Sequence, residues 1–263
     1  MDLGIRGRRA LVGGASSGLG RAIAEQLAAE GCSLALTARR ADVLGELAAG
    51  LRARHAVEVS VLPADFSDPA APAALAARAL EAMGGVDILV LNAGGPPPVD
   101  VTATDPEAWR RAFQLLAISP IELATALLPG MRERGWGRVV AIGSYAVRQP
   151  VDDLAYSNAG RNALVAWLKT TSRAVAADGV TVNGAHPGRH ATPRIEQLDR
   201  ATAERTGRTV EEVRAGHLAA IPVGRYGDPA EFASYVAYLC SVQAGYQTGT
   251  FTLIDGGLVG GLP

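Results

Sequence analysis

The chain contains 263 residues, 48% of them hydrophobic and 19% charged, and its formal net charge is −1, which is typical of a globular protein with a large core. So small a net charge excludes the broad positive field that draws proteins to nucleic acids and acidic membranes, and we expect no apolar run long enough to span a membrane. The two cysteines, Cys32 and Cys240, have no metal-ligand spacing, so we expect buried thiols in a reducing cytoplasm and no metal site.

Strand-like and helix-like patterns alternate from one end of the chain to the other. Short apolar runs predict buried strands at about 9–13, 33–38, 57–62, 86–91, 137–142, 180–184 and 251–254. Helical periodicity predicts helices at about 18–30, 40–54, 68–83, 105–133, 154–177 and 229–241. This alternation indicates an α/β fold in which a doubly wound parallel sheet has helices on both faces. No linker or repeat divides residues 1–263 into more than one domain.

The first strand leads into a glycine-rich turn, and a helix follows it. Gly14, Gly18 and Gly20 have the spacing G-x-x-x-G-x-G. In such a unit one glycine permits a tight turn, one lets the backbone approach a phosphate, and one lets the helix pack close to the sheet. The free N–H groups and the positive dipole end of the helix suit a pyrophosphate. The turn therefore predicts a dinucleotide site, with a turn that holds no ligand as the alternative.

The end of the second strand indicates which dinucleotide is bound. An acidic residue at this point would bind the ribose 2′-hydroxyl of NAD, but Ala38 stands there and Arg39 and Arg40 follow. Guanidinium groups offer forked, permanently charged donors that suit a 2′-phosphate. Cations at a helix N-terminus are mildly unfavourable, so a phosphate partner explains the arginines better than a surface role. We predict NADP(H) rather than NAD(H) as the cofactor.

Several motifs together resemble the short-chain dehydrogenase/reductase family. They include the glycine turn with Ala-Ser-Ser at residues 15–17, Asn-Ala-Gly at residues 92–94, and a tyrosine motif around Tyr156. The resemblance covers essentially the whole chain and implies a single Rossmann-type domain in which Asp65 touches the adenine and Asn92 braces the central sheet. The residues assigned to the cofactor are Gly14, Ser16, Ser17, Gly18, Leu19, Gly20, Arg39, Arg40, Asp65, Phe66, Asn92, Ala93, Gly94, Tyr156, Pro187, Gly188 and Thr192.

The catalytic apparatus of this family consists of an asparagine, a serine, a tyrosine and a lysine. The tyrosine exchanges a proton with the substrate oxygen, and because a free phenol has a pKa near 10, a neighbouring lysine cation assists by lowering that pKa. By resemblance, Ser144 holds the substrate oxygen and Tyr156 is the tyrosine. Gly160 stands four residues later, where the family has lysine, and Leu116 stands at the place of the asparagine. The chain therefore looks like a divergent member that lacks half of the proton relay.

Other polar residues lie near this gap in the sequence. Arg161 follows Gly160 and is rotated about 100° from the lysine face of the helix, so we expect no direct replacement and a space beside Gly160. Lys169 lies too far along the same helix. His186 and His190 flank the turn after the sixth strand and are expected to be polar loop histidines. His190 could nevertheless supply a proton in place of the tyrosine.

The segment at residues 193–222 is rich in Arg, Glu and Thr and predicts two short helices broken at Gly207. By resemblance it is a substrate lid, and its charges are expected to form a solvated face. Asp228 is expected to cap the next helix, with Pro229 in the first turn. The resemblance also implies a homo-oligomer, either a dimer or a tetramer.

These features predict NADP(H)-dependent oxidoreduction of a ketone or a secondary alcohol by hydride transfer. Tyr156 would act as acid or base and Ser144 would position the oxygen. A 3-oxoacyl compound is one candidate substrate class, and Arg148 and Arg189 beside the cleft favour an acidic or carrier-linked substrate. Two alternatives stay open: an enzyme of the same fold with non-redox chemistry, such as an isomerase, dehydratase or cyclase, and a nucleotide-binding protein without turnover.

Overall fold

The computed structural model describes residues 2–102 and 105–261, so the outermost residues of the predicted domain, 1 and 262–263, lie outside the described residues. The described chain forms a seven-stranded parallel sheet with the strand order β3-β2-β1-β4-β5-β6-β7. The predicted doubly wound sheet is confirmed. Its strands are β1 (Arg9–Gly13), β2 (Ser33–Thr37), β3 (Val59–Val61), β4 (Ile88–Leu91), β5 (Gly137–Ile142), β6 (Val180–Pro187) and β7 (Phe251–Ile254).

Helices cover both faces of the sheet and bury two separate apolar layers. In chain order they are α1 (Gly18–Ala29), α2 (Ala41–His55), α3 (Ala71–Met83), α4 (Pro106–Phe113), α5 (Ser119–Glu133), α6 (Ala155–Val175), α7 (Pro193–Thr206), α8 (Val210–Ala220) and α9 (Pro229–Leu239). Because neighbouring residues of a strand point to opposite faces, Ala10 and Val12 pack with α1, α2 and α9, whereas Leu11 packs with α3, α5 and α6. The chain adds strands in one direction from β1 to β3 and in the opposite direction from β4 to β7. Such folds form their binding crevice where the direction reverses, between β1 and β4.

The glycine turn brings the start of α1 against the end of β1. Gly14 adopts a φ of +60°, in the left-handed region that glycine enters at no steric cost. A Cβ added at Gly20 would collide with the carbonyl group of Gly14. The N–H of Ala15 donates to the carbonyl oxygen of Thr37 at 3.1 Å, which ties the turn to the end of β2. The turn therefore has the tight approach that its glycines predict.

Both cysteines are free thiols buried in the layer that contains α1 and α9. The Sγ of Cys32 donates to the carbonyl oxygen of Ile5 at 3.3 Å, and Cys240 ends α9. Burial raises the pKa of Cys32 to about 12 and also raises the pKa of Cys240. Their predicted burial is confirmed, and both thiols are chemically inert in the folded protein.

The long helix predicted at 105–133 is interrupted by a π-helical segment, Gln114–Ile118, between α4 and α5. By length and composition alone, the run Pro106–Glu133 could cross a membrane, so the expectation that no stretch reaches that length is wrong. Half of its most apolar window, 50%, is buried inside the protein. There α5 packs on α3 and α6. A helix packed inside a globular fold has such an apolar sequence because most of its surface is buried.

The segment after β6 forms the two predicted helices, α7 and α8, and Gly207 ends α7 with a φ of +67°. Asp228 caps α9, and Pro229 lies in its first turn as expected. The prediction of a purely solvated charged face is wrong for Asp199, which is 3% exposed. Asp199 accepts a hydrogen bond from the hydroxyl of Tyr226 at 2.8 Å and lies 2.9 Å from Nδ1 of His217, so a buried polar cluster joins the two helices to the segment before α9.

Candidate active site

A cavity of about 720 Å³ opens at the carboxyl ends of the strands, where doubly wound sheets bind their ligands. The structure brings the predicted cofactor and catalytic residues together around it. Only Gly20 among them does not line the wall, because it packs against Gly14 and Asn92. The predicted residues that line the cavity are Gly14, Ser16, Ser17, Gly18, Leu19, Arg39, Arg40, Asp65, Phe66, Asn92, Ala93, Gly94, Ser144, Tyr156, Pro187, Gly188 and Thr192.

The glycine end of the cavity fits the phosphates of a dinucleotide. Helix α1 starts there with Ser17 at its N-cap, no side chain accepts from its first N–H groups, and its first turn contains no acidic residue. Those N–H groups and the helix dipole are therefore free to bind an anion. Asn92 donates from Nδ2 to the carbonyl oxygen of Gly13 at 3.1 Å, which fastens the end of β4 to the end of β1 beside the turn.

The end of β2 supplies two arginines and an orphaned hydroxyl to the same part of the cavity. Arg40 donates from Nη2 to the Oγ of Ser16 at 3.0 Å, and Arg39 is exposed beside it. Neither arginine has a carboxylate within ion-pair distance in the described parts of the chain. Thr37 has a buried Oγ1 without a hydrogen-bond partner in the described protein. Free guanidinium groups and an unpaired hydroxyl are what a phosphorylated ribose would satisfy.

Asp65 follows β3 on the cavity wall beside these arginines, where the N–H of Ala64 donates to the carbonyl oxygen of Ala38 at 3.1 Å. Its Oδ1 accepts from the backbone N–H of Ser67 at 2.9 Å and from the Ser67 hydroxyl at 2.7 Å. Burial acts to raise the pKa of Asp65, but the bonds from Ser67, with the charge of Arg39, outweigh it and hold that pKa below its usual value. Asp65 is thus a fixed, ionised acceptor on the cavity wall.

Ser144 and Tyr156 line the opposite end of the cavity but do not bond each other in this structure. The Oγ of Ser144 accepts from the N–H of Ala146 at 3.1 Å. The phenolic oxygen of Tyr156 accepts from the backbone N–H of Asp105 at 3.1 Å, and its ring meets the edge of Trp109 at a centroid distance of 4.6 Å. Asp105 is the N-cap of α4, so the start of this helix donates to the tyrosine.

The space expected beside Gly160 is filled by Leu116. A Cβ added at Gly160 would lie 3.0 Å from the Cβ of Leu116 and 3.2 Å from its Cδ1. Leu116 belongs to the π-helical segment and is 2% exposed. Gly160 and Leu116, which the resemblance aligns with the lysine and the asparagine, therefore pack against each other as one apolar unit. Lys169 is engaged elsewhere, donating from Nζ to the carbonyl oxygen of Gly249 at 2.8 Å.

Arg161 reaches the cavity wall, although its Cα is rotated away from the lysine face of the helix. Its Nε donates to the Oγ of Ser157 at 3.2 Å, and its Nη1 donates to the carbonyl oxygen of Ile142 at 2.9 Å. The side chain therefore runs from α6 to the end of β5, two residues before Ser144. Burial, with the nearby charge of Arg194, lowers the pKa of Arg161 to about 10. It is a half-buried cation at the end of the cavity that Ser144 lines.

Neither histidine of the β6 turn is the polar loop residue that we expected. His186 belongs to β6 itself and is 0% exposed, with its ring stacked on Phe251 at 5.9 Å and no partner for either nitrogen among the described residues. Burial, aided by the charge of Arg161, lowers the pKa of His186 to about 4. His190 lines the cavity and is 4% exposed, its ring edge-on to Phe232 at 5.2 Å. Burial lowers its pKa as well, so both rings are packed and neutral.

The helices after β6 close one side of the cavity through arginine contacts. Arg194, in the first turn of α7, donates from Nη2 to the carbonyl oxygen of Pro96 at 2.7 Å. Arg205, in the last turn of α7, pairs with Asp153 at 3.1 Å. Of the two arginines predicted beside the cleft, Arg189 lines the cavity but lies 3.5 Å from the carboxylate of Asp199, and Arg148 is exposed and outside the wall.

Two contributors to the site were missed by the sequence analysis. The N–H of Asp105 is a backbone group, so no residue type in a sequence motif identifies it. Arg194 follows Thr192 by two residues, and an arginine in the first turn of a helix is unfavourable for the helix dipole. The same argument identified Arg39 and Arg40, so it could have singled out Arg194 as a residue with a partner outside its own helix.

Comparison with known proteins gives a consistent set of relatives. Residues 14–259 match the family described as enoyl-(acyl carrier protein) reductase. The chain is 33% identical over 263 aligned residues to the 3-oxoacyl-[acyl-carrier-protein] reductase FabG of Vibrio cholerae, with 97% of this chain and 99% of that protein covered.

Two solved structures extend the similarity to three dimensions. The L-sorbose reductase of Gluconobacter frateurii, solved with NADPH and L-sorbose, is 32% identical with a TM-score of 0.94, and 100% of each chain is covered. The actinorhodin polyketide ketoreductase, solved with NADPH, is 32% identical with a TM-score of 0.91, and the match covers 96% of this chain and 97% of that one.

Proposed function

The chain belongs to the short-chain dehydrogenase/reductase family, and on that premise we propose that it is an NADP(H)-dependent oxidoreductase that reduces a ketone or oxidises the corresponding secondary alcohol. The observation that carries the proposal is one cavity that joins the uncapped start of α1 and the arginines after β2 to Ser144 and Tyr156. Relatives named as reductases of 3-oxoacyl, polyketide and sugar ketones support this reaction class. A 3-oxoacyl compound is one candidate substrate.

The residues present fit NADP(H). The N–H groups of α1 would hold the pyrophosphate, and Arg39 and Arg40 would hold the 2′-phosphate. Asn92 keeps the ends of β1 and β4 together beneath them, and Asp65 would contact the adenosine. When bound, the reduced cofactor supplies the hydride.

Proton transfer falls to Tyr156. Its oxygen accepts the N–H of Asp105 and donates to no group in the described protein, so its proton is free to pass to a carbonyl oxygen in the cavity. The negative oxygen left behind is stabilised by that N–H and by the positive end of the α4 dipole. The Ser144 hydroxyl accepts from Ala146 and can donate its own hydrogen to the same substrate oxygen. Together these groups position and protonate the ketone oxygen.

The chain is further proposed to be a divergent member of the family, without the asparagine and lysine of the proton relay. The contact between Leu116 and Gly160 supports this, because apolar atoms fill the room that the two polar side chains would need. Residues 1–263 would act as one domain with a substrate lid at about 193–222. We expect a cytoplasmic homo-oligomer that acts on a small molecule and has no nucleic-acid or membrane partner.

The test is the absorbance of NADPH during incubation with a panel of ketones. We expect wild-type protein to oxidise NADPH with at least one of them. Tyr156→Phe should abolish turnover while NADPH still binds, because it removes the proton donor. Ser144→Ala should lower kcat by roughly a hundredfold, since the loss of one hydrogen-bond donor to the reacting oxygen costs about 10²–10³ in kcat. Conversion of a substrate without any change in NADPH would instead support the non-redox alternative, and binding without turnover would support a nucleotide-binding protein.

A further inference from the structure

Two arginines from different helices, Arg161 and Arg194, line the cavity. Arg161 on α6 is held by Ser157 and Ile142, and Arg194 on α7 donates to Pro96 and, at 2.9 Å, to Gln197. A guanidinium carries five N–H donors in a fixed fork. Each arginine uses two of them, so three N–H groups on each have no acceptor among the residues that the structure describes.

The positive charge of this pair has no counterpart in the protein. Within residues 2–102 and 105–261, no carboxylate lies within 4.0 Å of either guanidinium. The acidic residues on the described cavity wall are Asp65, at the end of β3, and Asp153, which pairs with Arg205. Both guanidiniums are partly buried, and burial lowers the pKa of each. Buried cations without an anion are unfavourable, which indicates that a ligand supplies the negative charge.

The phosphates of the cofactor do not account for Arg161. Their binding groups lie at the end of β1, where α1 starts, and at the end of β2. Arg161 bonds to Ile142 at the end of β5, and β4 separates β5 from β1 in the sheet. Neighbouring strands are about 4.8 Å apart, so Arg161 lies roughly 10 Å along the sheet from the glycine turn. That position is close to Ser144, where the substrate would react.

We propose that Arg161 and Arg194 form a binding site for a carboxylate on the substrate, and that the chain therefore acts on oxo acids or hydroxy acids. This inference rests on the proposed reductase function. The flat fork of a fixed guanidinium matches a planar carboxylate. Arg161 bonds to the end of β5, two residues before Ser144, and Arg194 bonds to Pro96 after the neighbouring strand β4. The carboxylate therefore lies on the same small molecule as the reacting carbonyl, only a few bonds away from it.

The experiment compares 3-oxobutanoate with its neutral ethyl ester as substrates for NADPH-dependent reduction. The wild type should favour the acid in kcat/KM by at least tenfold. Arg161→Gln and Arg194→Gln should each lower kcat/KM for the acid by roughly 10- to 100-fold, the range of a lost charge-assisted hydrogen bond, and leave the ester within about threefold. Arg161→Lys should keep part of the preference. Arg173→Gln, an exposed change on the same helix, is the matched control and should change neither substrate.

A binding measurement separates failure of this inference from failure of the proposed function. Protein saturated with NADP⁺ is titrated calorimetrically with 3-oxobutanoate and with the ester, so that no turnover is needed. Tighter binding of the acid, lost in Arg194→Gln, supports the site even if no ketone is reduced. Equal binding of acid and ester would overturn it, as would preference for a 2-oxoalkyl phosphonate over the acid. A tenfold loss of NADPH affinity in Arg161→Gln with an unchanged acid-to-ester ratio would assign that arginine to the cofactor and also overturn it.

Discussion

At the level of single residues, the buried ring of His186 makes the folded protein less stable at acid pH. The pKa of His186 is about 4 in the folded protein against an ordinary value of 6.5, because burial disfavours the charged ring. Between these values the unfolded chain binds more protons than the folded one, so stability falls as pH falls. The contribution of neutral His186 is complete above pH 6.5 and is lost progressively down to about pH 4. His190 and His217, whose pKa values are also lowered, act in the same direction.

Replacing this ring should flatten the dependence of stability on pH. We expect His186→Met to lose about 2 kcal/mol less free energy of unfolding than the wild type between pH 7.5 and pH 5, since each pH unit below the unfolded pKa is worth about 1.4 kcal/mol for one group. Urea denaturation at the two pH values measures the difference. His55→Met, at the end of α2, should follow the wild type. Identical pH dependence in wild type and His186→Met would contradict the assignment.

The arginines after β2 should set the choice of cofactor. Arg39→Ala and Arg40→Ala should each weaken NADPH binding by about 1.5–3 kcal/mol, the value of a hydrogen bond to a charged group, with little change for NADH. Fluorescence titration with both cofactors measures this. Arg21→Ala on α1, where the arginine pairs with Glu25 on an exposed surface, is the control and should alter neither affinity. An equal loss for NADH would mean that the two arginines do not bind the 2′-phosphate.

At the level of elements, the contact between the π-helical segment and α6 couples the effects of substitutions at Leu116 and Gly160 on stability and activity. Gly160→Lys alone forces a side chain against Leu116 and should lower stability by about 1–3 kcal/mol, as overpacked cores do, without raising activity. The double variant Leu116→Asn with Gly160→Lys should recover stability and raise NADPH oxidation at neutral pH. Thermal unfolding and initial rates test the pair, with Leu116→Asn alone as the control. If the single lysine variant is as stable and active as the double one, the packing argument fails.

The same region shows how far sequence reasoning reaches into this site. The turn between β1 and α1 was predictable because its conformation depends on local glycines. The position of Arg161 was not, because rotation on a helix fixes the direction of the Cβ, whereas the guanidinium is several bonds farther and follows Ser157 and Ile142. The contact of Leu116 with Gly160 depends on the π-helical segment, which shifts helix register and has no local signal.

At the level of the whole molecule, the sheet was predictable because buried parallel strands appear as continuous apolar runs. The strand ends were less predictable: β3 and β4 each begin two residues later than predicted, and β6 continues through His186 to Pro187, three residues beyond the prediction. The polar ring of His186 interrupts the apolar run at the end of β6. Room for that ring comes from Gly143, directly after β5, and from Gly184 in β6 itself. This room depends on tertiary packing, which cannot be deduced from the hydrophobic pattern of a single strand.

The open edge of the sheet bears on assembly. Strand β7 is an edge strand of half-buried residues, and Tyr246 before it is fully exposed. Exposed apolar groups beside an unpaired edge favour association. We expect light scattering at micromolar concentration to give about four times the mass of one chain. Tyr246→Asp should give a smaller species, whereas Val223→Asp, an exposed change in the α8–α9 connection, should not. A monomeric wild type would contradict this prediction.

Because Cys32 and Cys240 are buried, the rate at which a thiol reagent modifies them measures how often the folded protein opens. A thiol reagent can reach either sulfur only when the apolar layer around it opens, so the rate of modification follows the fraction of molecules that are open at any moment. A ligand that binds only the closed form slows the same reaction in proportion to its occupancy. The modification rate of these two thiols therefore measures ligand binding without a coloured substrate or an engineered probe.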